Sequence, residues 1–206
     1  MPTVPEPRAA PTGADLRRAI LDEARRLLVA DGYDRLSMRK IAAAVGCSAT
    51  SIYLHFEGKD ALTHALIDEG MAGLLAALTN ALDAADDRDA HGRLDALGHA
   101  YVRYGLANPE YYEVMFQLHP ERMARYPAES YRRARRNVEV FAETLAAGAA
   151  AGALRLDAPA DVAAGALWTA LHGLVSLSLA ERIDRRVAGP AFVDAAVAQA
   201  IAAFRP

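Results

Sequence analysis

The stretch MRKIAAAVGCSATSIYLHF, residues 38–56, decides the fold because it places two short amphipathic segments on either side of Gly46. Neither segment is long enough to form a stable helix alone in water. Apolar residues recur at helical spacing in both segments: Met38, Ile41, Ala42 and Val45, then Ile52 and Phe56. Because glycine readily adopts the positive φ of a sharp turn, the pattern predicts a helix-turn-helix, with helices over 37–45 and 49–55.

The preceding segment supplies the support that these two short helices need. Its apolar residues follow a helical period until a stop signal at Asp31 and Gly32. They are Leu16, Ile20, Ala24, Leu27 and Leu28. We therefore expect a first helix from residue 12 onward, and a three-helix unit that buries what no single helix could bury.

The second short helix has an outward face suited to the major groove of DNA. If Ile52 and Phe56 point inward, the outward residues are Thr50, Ser51, Leu54 and His55. Hydroxyl groups bond base edges or phosphates, and an apolar side chain contacts the thymine methyl group. Leu54 has the alternative role of simply covering apolar surface.

The charge pattern favours DNA contacts in this region alone. The net charge of −3 over 206 residues excludes a generally basic nucleic-acid coat, yet residues 35–59 carry four cations against one acid. Cations, hydroxyl groups and the helix start at residue 37 are typical phosphate contacts. The predicted DNA-binding residues are Ser37, Arg39, Lys40, Ser48, Thr50, Ser51, Tyr53, Leu54, His55 and Lys59.

The rest of the chain reads as helices, since no segment alternates with the period of a strand. Residues 1–11 carry four prolines and predict a flexible leader, and the acidic stretch 83–92 predicts a connection. Further helices are predicted over 59–82, 94–107, from Asn108 and Pro109 onward, 128–151, 159–182 and 190–204. The expected fold class is all-α with eight or nine helices.

Cysteine content and hydropathy indicate a cytoplasmic protein without a membrane segment. Cys47 is the only cysteine, so an intramolecular disulfide is excluded; we interpret it as a small turn residue, with a redox switch as the weaker alternative. The longest apolar run begins at Ala166, covers about 15 residues and contains His172, so it suits a buried helix better than a bilayer span.

The segment LSMRKIAAAVGCSATSIYLHFEGKDAL, residues 36–62, resembles the DNA-binding signature of the TetR family of bacterial transcriptional regulators. Tyr53, Phe56 and Lys59 stand where that signature has its Tyr-x-x-Phe step and its lysine. The resemblance implies a homodimer with an N-terminal DNA-binding domain, here residues 12–58. It also implies a larger helical domain, here 59–206, for effector binding and dimerisation.

A weaker resemblance extends to the C-terminal half. The segments NPEYYEVMF (108–116) and LWTALHGLVSLSL (167–179) are similar to a TetR subgroup with a Trp and His-Gly pattern, here Trp168, His172 and Gly173. Six of the eight tyrosines also lie between residues 101 and 131, and such clustering builds an apolar pocket with a few polar groups. The candidate effector residues are Tyr101, Tyr104, Tyr112, Met115, Phe116, Trp168 and His172, although an aromatic stripe or a buried histidine is also typical of plain core.

Catalytic and metal patterns are weak. Ser37 and Lys40 match a Ser-x-x-Lys motif without its companion motifs, and no paired-His ligand spacing occurs. We therefore expect neither enzyme activity, nor a metal, nor a cofactor. The sequence predicts a homodimeric repressor of a palindromic DNA operator, dimerised through 159–182 and 190–204 and released by a small, largely apolar effector. An activator on the same fold and an all-α enzyme are the alternatives.

Overall fold

The computed structural model describes residues 13–86, 89–118 and 123–206, and within these ranges the chain is all-helical, as predicted. The α-helices are α1 (Ala14–Asp31), α2 (Met38–Val45), α3 (Ala49–Tyr53), α4 (Lys59–Asp83), α5 (Ala90–Ala107), α6 (Pro109–Phe116), α7 (Ala128–Ala150), α8 (Ala160–Leu179) and α9 (Pro190–Ala202). A single 3-10 turn, Tyr33–Arg35, joins α1 to α2. The predicted leader, 1–11, lies outside the described residues.

The described residues form two compact units. The first comprises residues 13–67, 113–118 and 123–125, and the second comprises 68–86, 89–112 and 126–206. The chain passes from the first unit to the second within α4, returns to the first within α6, and enters the second again after residue 125. The predicted domain division after residue 58 stays a prediction.

The first unit is the expected helical head. Helix α1 packs on α2, and α2 packs on α3. All five apolar residues predicted to face inward from α1 are buried, as are Ile41, Ile52 and Phe56 of the later helices. Burying a side chain of this size contributes about 1.5–3 kcal/mol, so the three helices stabilise one another.

Among the helix ends that differ from the predicted ones, three have clear local reasons. Helix α3 ends at Tyr53, because the His55 amide then donates to the Ile52 carbonyl in a tight turn. Helix α5 begins four residues early, at Ala90, because the Asp89 carboxylate caps it by accepting from the Gly92 amide at 2.8 Å. Helix α8 ends at Leu179, before the positive φ of 52° at Glu181.

In the second unit, α5 packs against α7, α8 and α9. Two glycines let its neighbours approach closely. A Cβ atom on Gly98 would lie 2.8 Å from Val197 Cγ1 of α9, and one on Gly105 would lie 2.6 Å from Val175 Cγ1 of α8. These distances are too short for real side chains, so glycine sets the α5 packing at both positions.

Helices α4 and α8 both reach the length and mean hydropathy of a membrane span, which the sequence reading did not anticipate. In α4, buried leucines pack inside the protein, and the Asp68 carboxylate accepts hydrogen bonds from Tyr126 and Ser130. These are features of a core helix in a folded domain. In α8 only 28% of the most apolar 18-residue stretch is buried.

Candidate DNA-binding site and effector region

Hydrogen bonds at both sides of the turn fix the helix-turn-helix. The Ser37 hydroxyl accepts from the Lys40 amide at 3.2 Å, which caps α2. Gly46 ends that helix in the left-handed region with φ 79°, and its amide donates to the Ala42 carbonyl. The Ser48 hydroxyl then accepts from the Ser51 amide at 3.0 Å and caps α3. The cap and the turn glycine are as the sequence predicts.

The outward face of α3 and its following turn is exposed, with large side chains in solvent. Leu54 is 82% exposed and Tyr53 is 56% exposed, and Thr50 is exposed beside them. Ser51 and His55 are half-buried. The Ser51 hydroxyl also lies 2.8 Å from the Ser48 hydroxyl, so these two serines share the cap at the start of α3.

The three predicted phosphate-binding cations have different surroundings. Arg39 is exposed and has no ion pair with any described residue. The Lys40 ammonium pairs with Asp31, and its hydrogen bond lowers the pKa of that carboxyl. The Lys59 ammonium lies 4.0 Å from the Tyr33 ring centroid and donates to the Tyr33 carbonyl at 3.4 Å.

The start of α4 is held in place by residues from both parts of the first unit. The Asp60 carboxylate accepts from the Tyr33 hydroxyl and from the Ala124 amide. One turn later, His64 Nε2 lies 3.0 Å from the Ala124 carbonyl oxygen. Lys59 therefore projects from a helix end whose position is fixed by hydrogen bonds on two sides.

Four of the seven candidate effector residues meet in the second unit. The Trp168 and His172 rings stack at 4.9 Å, His172 and Tyr112 stack at 5.2 Å, and Tyr101 meets Trp168 edge-on. The Tyr112 hydroxyl lies 2.6 Å from His172 Nδ1, and the Tyr101 hydroxyl lies 3.1 Å from it. Burial lowers the pKa of His172, which favours the neutral form of its ring.

The other three candidates are Tyr104, Met115 and Phe116. The Tyr104 hydroxyl donates to the Gly70 carbonyl at 2.8 Å, and burial raises the pKa of this phenol to about 12. Met115 and Phe116 are half-buried residues of the first unit. Two open cavities of about 1020 Å³ and about 640 Å³ flank α5, and Tyr104 lines the smaller. Within the described ranges no group of three His, Cys, Asp or Glu side chains could hold a metal ion.

Comparison with known proteins decides the family. Residues 20–66 match the model of bacterial regulatory proteins of the tetR family, and residues 94–204 match the tetracyclin repressor-like C-terminal domain. The chain belongs to the TetR family of transcriptional regulators. Membership of the subgroup with the Trp and His-Gly pattern, which the sequence suggests, stays a prediction.

Individual TetR-family relatives agree with this assignment. An HTH-type transcriptional repressor of Mycobacterium tuberculosis, Rv1474c, is 38% identical over 82 residues, which cover 35% of this chain and 44% of that protein. The chain spans about half the length of the curated relatives it matches. A tetR-family regulatory protein from Rhodococcus RHA1 superposes with a TM-score of 0.73 at 26% identity, covering 91% of this chain and 95% of that one. A protein of unknown function from Rhodococcus sp. RHA1 gives 0.77 at 26% identity, covering 94% and 97%.

Sequence reasoning missed two residues of this TetR-family head. Tyr33 is buried and contacts Lys59 and Asp60, but nothing in its local pattern indicates a partner 26 residues away. The Arg17 guanidinium lies 5.1 Å from the centroid of the Phe56 ring. Arg17 lies one turn before Ile20, on the face of α1 that covers the short helices. This spacing could have indicated a contact between Arg17 and one of those helices.

Proposed function

We propose that this chain is a repressor that binds a palindromic DNA operator as a homodimer and releases it when a small, largely apolar effector binds. The observation that carries the proposal is the exposed surface of Thr50, Tyr53 and Leu54 beside a capped turn. Side chains of this kind contact base edges and phosphates in a major groove. The name of the M. tuberculosis relative favours repression over activation.

The proposed DNA contacts divide between bases and backbone. Thr50 and Ser51 read base edges, and Leu54 contacts a thymine methyl group. Ser37, Arg39, Ser48, Tyr53 and His55 bind phosphates. Lys40 and Lys59 also bind phosphates of the DNA backbone. Their contacts with Asp31 and Tyr33 support this role, because they hold the two ammonium groups in fixed positions.

The proposed dimer interface is the apolar outer face of α8 together with α9. Val162 and Leu177 of α8 are 57% and 51% exposed, and the face between them carries small uncharged residues. They are Gly165, Ala166, Thr169, Ala170 and Gly173. So long an apolar stripe on a soluble chain favours burial against a second copy. Two recognition helices would then meet half-sites about one DNA turn (roughly 34 Å) or a multiple of it apart.

The proposed effector response belongs to the second unit. The stack of Trp168, His172 and Tyr112 supports membership of the Trp and His-Gly subgroup, and it offers apolar ring faces with few polar groups. An effector that prefers one conformation by about 1–3 kcal/mol is sufficient to shift operator affinity. Like typical soluble members of its family, the chain is proposed to act in the cytoplasm as a regulator and not as an enzyme.

A gel-shift titration with DNA from upstream of the chain's own gene, at graded salt, tests this proposal. We expect tight binding to a specific fragment that weakens steeply as salt rises, because phosphate contacts release counterions. Equally weak binding to every fragment would contradict the regulator function. Deletion of the gene separates repression from activation, since loss of a repressor raises transcription of its targets.

A further inference from the structure

The larger cavity of the second unit lies between α5 and the segment that joins α8 to α9. Its volume is about 1020 Å³, at the upper end of the range for small-molecule sites. Large apolar side chains from three parts of the chain form its walls: Val102 and Leu106, then Ile183, then Pro190, Phe192 and Val193. This lining suits the apolar body of a ligand.

Most of the α9 residues at the cavity lie on the face of α9 that packs against α5. Pro190, Val193 and Asp194 share one helical face with Val197, which packs under Gly98 of α5. The exposed alanines at 191, 195 and 198 lie on an adjoining face, where Phe192 of the cavity wall is one turn before Ala195.

The ionisable side chains around the cavity differ in their partners. Asp194 Oδ1 lies 3.2 Å from His99 Nε2, and the Glu181 carboxylate lies 3.6 Å from the Arg185 guanidinium. Both acids at the cavity thus already face a basic group. The Arg103 guanidinium is exposed at the same cavity and forms no ion pair or hydrogen bond with any described residue. The carboxylate of a ligand complements this guanidinium.

Arg103 also borders the smaller cavity of about 640 Å³, between α4 and α5. There the apolar lining consists of alanines with Tyr104, accompanied by Asn80 and Asn108. Small side chains and amides offer less apolar contact than the leucine, isoleucine, valine and phenylalanine of the larger cavity. An apolar ligand held by Arg103 therefore favours the larger cavity.

We propose that this larger cavity binds organic acids with an extended apolar body, such as medium-chain fatty acids, with the carboxylate at Arg103. This proposal names a site and a chemical class for the effector of the proposed function. It rests on the proposed function only for the effect that binding has on operator affinity. Binding itself is measured without DNA, so the two stand or fall separately.

Isothermal titration of the full chain with dodecanoate, below the concentration at which micelles form, tests the site. Arg103→Gln is expected to weaken binding about tenfold, the effect of losing one charged hydrogen bond. Arg132→Gln, which makes the same charge change on the exposed surface of α7, is the matched control and should bind normally. Octanoate should bind more weakly than dodecanoate, by up to about fourfold per methylene group removed.

Two further ligands and a second variant make the outcome decisive. Dodecyltrimethylammonium should not compete, and Leu106→Trp, which narrows the cavity, should weaken binding without changing the melting temperature. Absence of dodecanoate binding, equal binding of the cationic analogue, or equal affinity of Arg103→Gln and Arg132→Gln would each overturn the proposal. Binding that leaves operator affinity unchanged supports the site and contradicts the ligand response of the proposed function.

Discussion

At the residue scale, exposure distinguishes side chains that hold α3 in place from those available to DNA. Ser48 and Ser51 bond each other and the backbone, so their hydroxyls are partly committed to the cap. The Thr50 residue is exposed and its hydroxyl has no hydrogen bond to any described residue, and the Tyr53 ring is largely exposed to solvent. Substitution at Thr50 and Tyr53 therefore tests contacts with DNA with little effect on the helix.

Tyr53→Phe should weaken binding to all operators alike, by about 1 kcal/mol or roughly fivefold, because one phosphate hydrogen bond is lost. Thr50→Ala should instead change the preferred sequence. Gel shifts against a randomised half-site library measure both. An unchanged sequence preference in Thr50→Ala would contradict its proposed contact with bases.

His172 predicts a pH dependence of stability. Its pKa is lowered by burial in the folded protein, so the unfolded chain takes up the proton first as the pH falls. The free energy of unfolding should therefore have its full value above about pH 6.5, the ordinary histidine pKa, and should decrease as the pH falls below it. Chemical denaturation of His172→Gln at pH 7.5 and 5.5 should show a smaller decrease than the parent chain, whereas the control His91→Gln should keep the full decrease.

At the element scale, the angle between α2 and α3 depends on the backbone of Gly46. A Cβ atom at this glycine would meet nothing within 4 Å, so the only cost of a side chain is the left-handed φ of 79°. That cost is about 1–2 kcal/mol for alanine.

Gly46→Ala should accordingly destabilise the first unit by about 1–2 kcal/mol and weaken operator binding. Gly58→Ala is the matched control, because its surroundings are equally open and its φ lies outside the positive region. Thermal unfolding and gel shifts measure the two effects. Equal melting temperatures of the two variants would show that the turn does not depend on glycine.

Periodicity predicted the helices well, because each buries one apolar stripe and the stripe is visible in the sequence. It did not predict that Asp89 begins α5 early, since a cap depends on one local hydrogen bond. Nor did it predict the partners of Lys40 and Lys59, which come from other helices and turns of the fold. Of the seven candidate effector residues, the four that cluster do so through α5, α6 and α8, an arrangement set by tertiary packing.

At the scale of the whole molecule, the exposed face of α8 allows a single substitution to test the proposed dimerisation. Leu177→Glu should shift the chain toward monomer, since a charge would be buried in the proposed interface. Sedimentation velocity measures this directly, with Tyr131→Glu on the exposed surface of α7 as the control. Because the proposed dimer contacts two half-sites together, the monomeric variant should also lose operator affinity. An unchanged dimer would place the interface elsewhere.

The start of α4 also bears on how this protein can be taken apart. Asp60 and His64 bond the backbone at Ala124, a residue reached only after the chain has passed through residues 68–112 of the second unit. A fragment that stops at residue 67 would lack these hydrogen bonds, so we expect it to be less stable than the complete first unit. Chimeric regulators built from this chain should carry residues 113–125 together with the N-terminal helices.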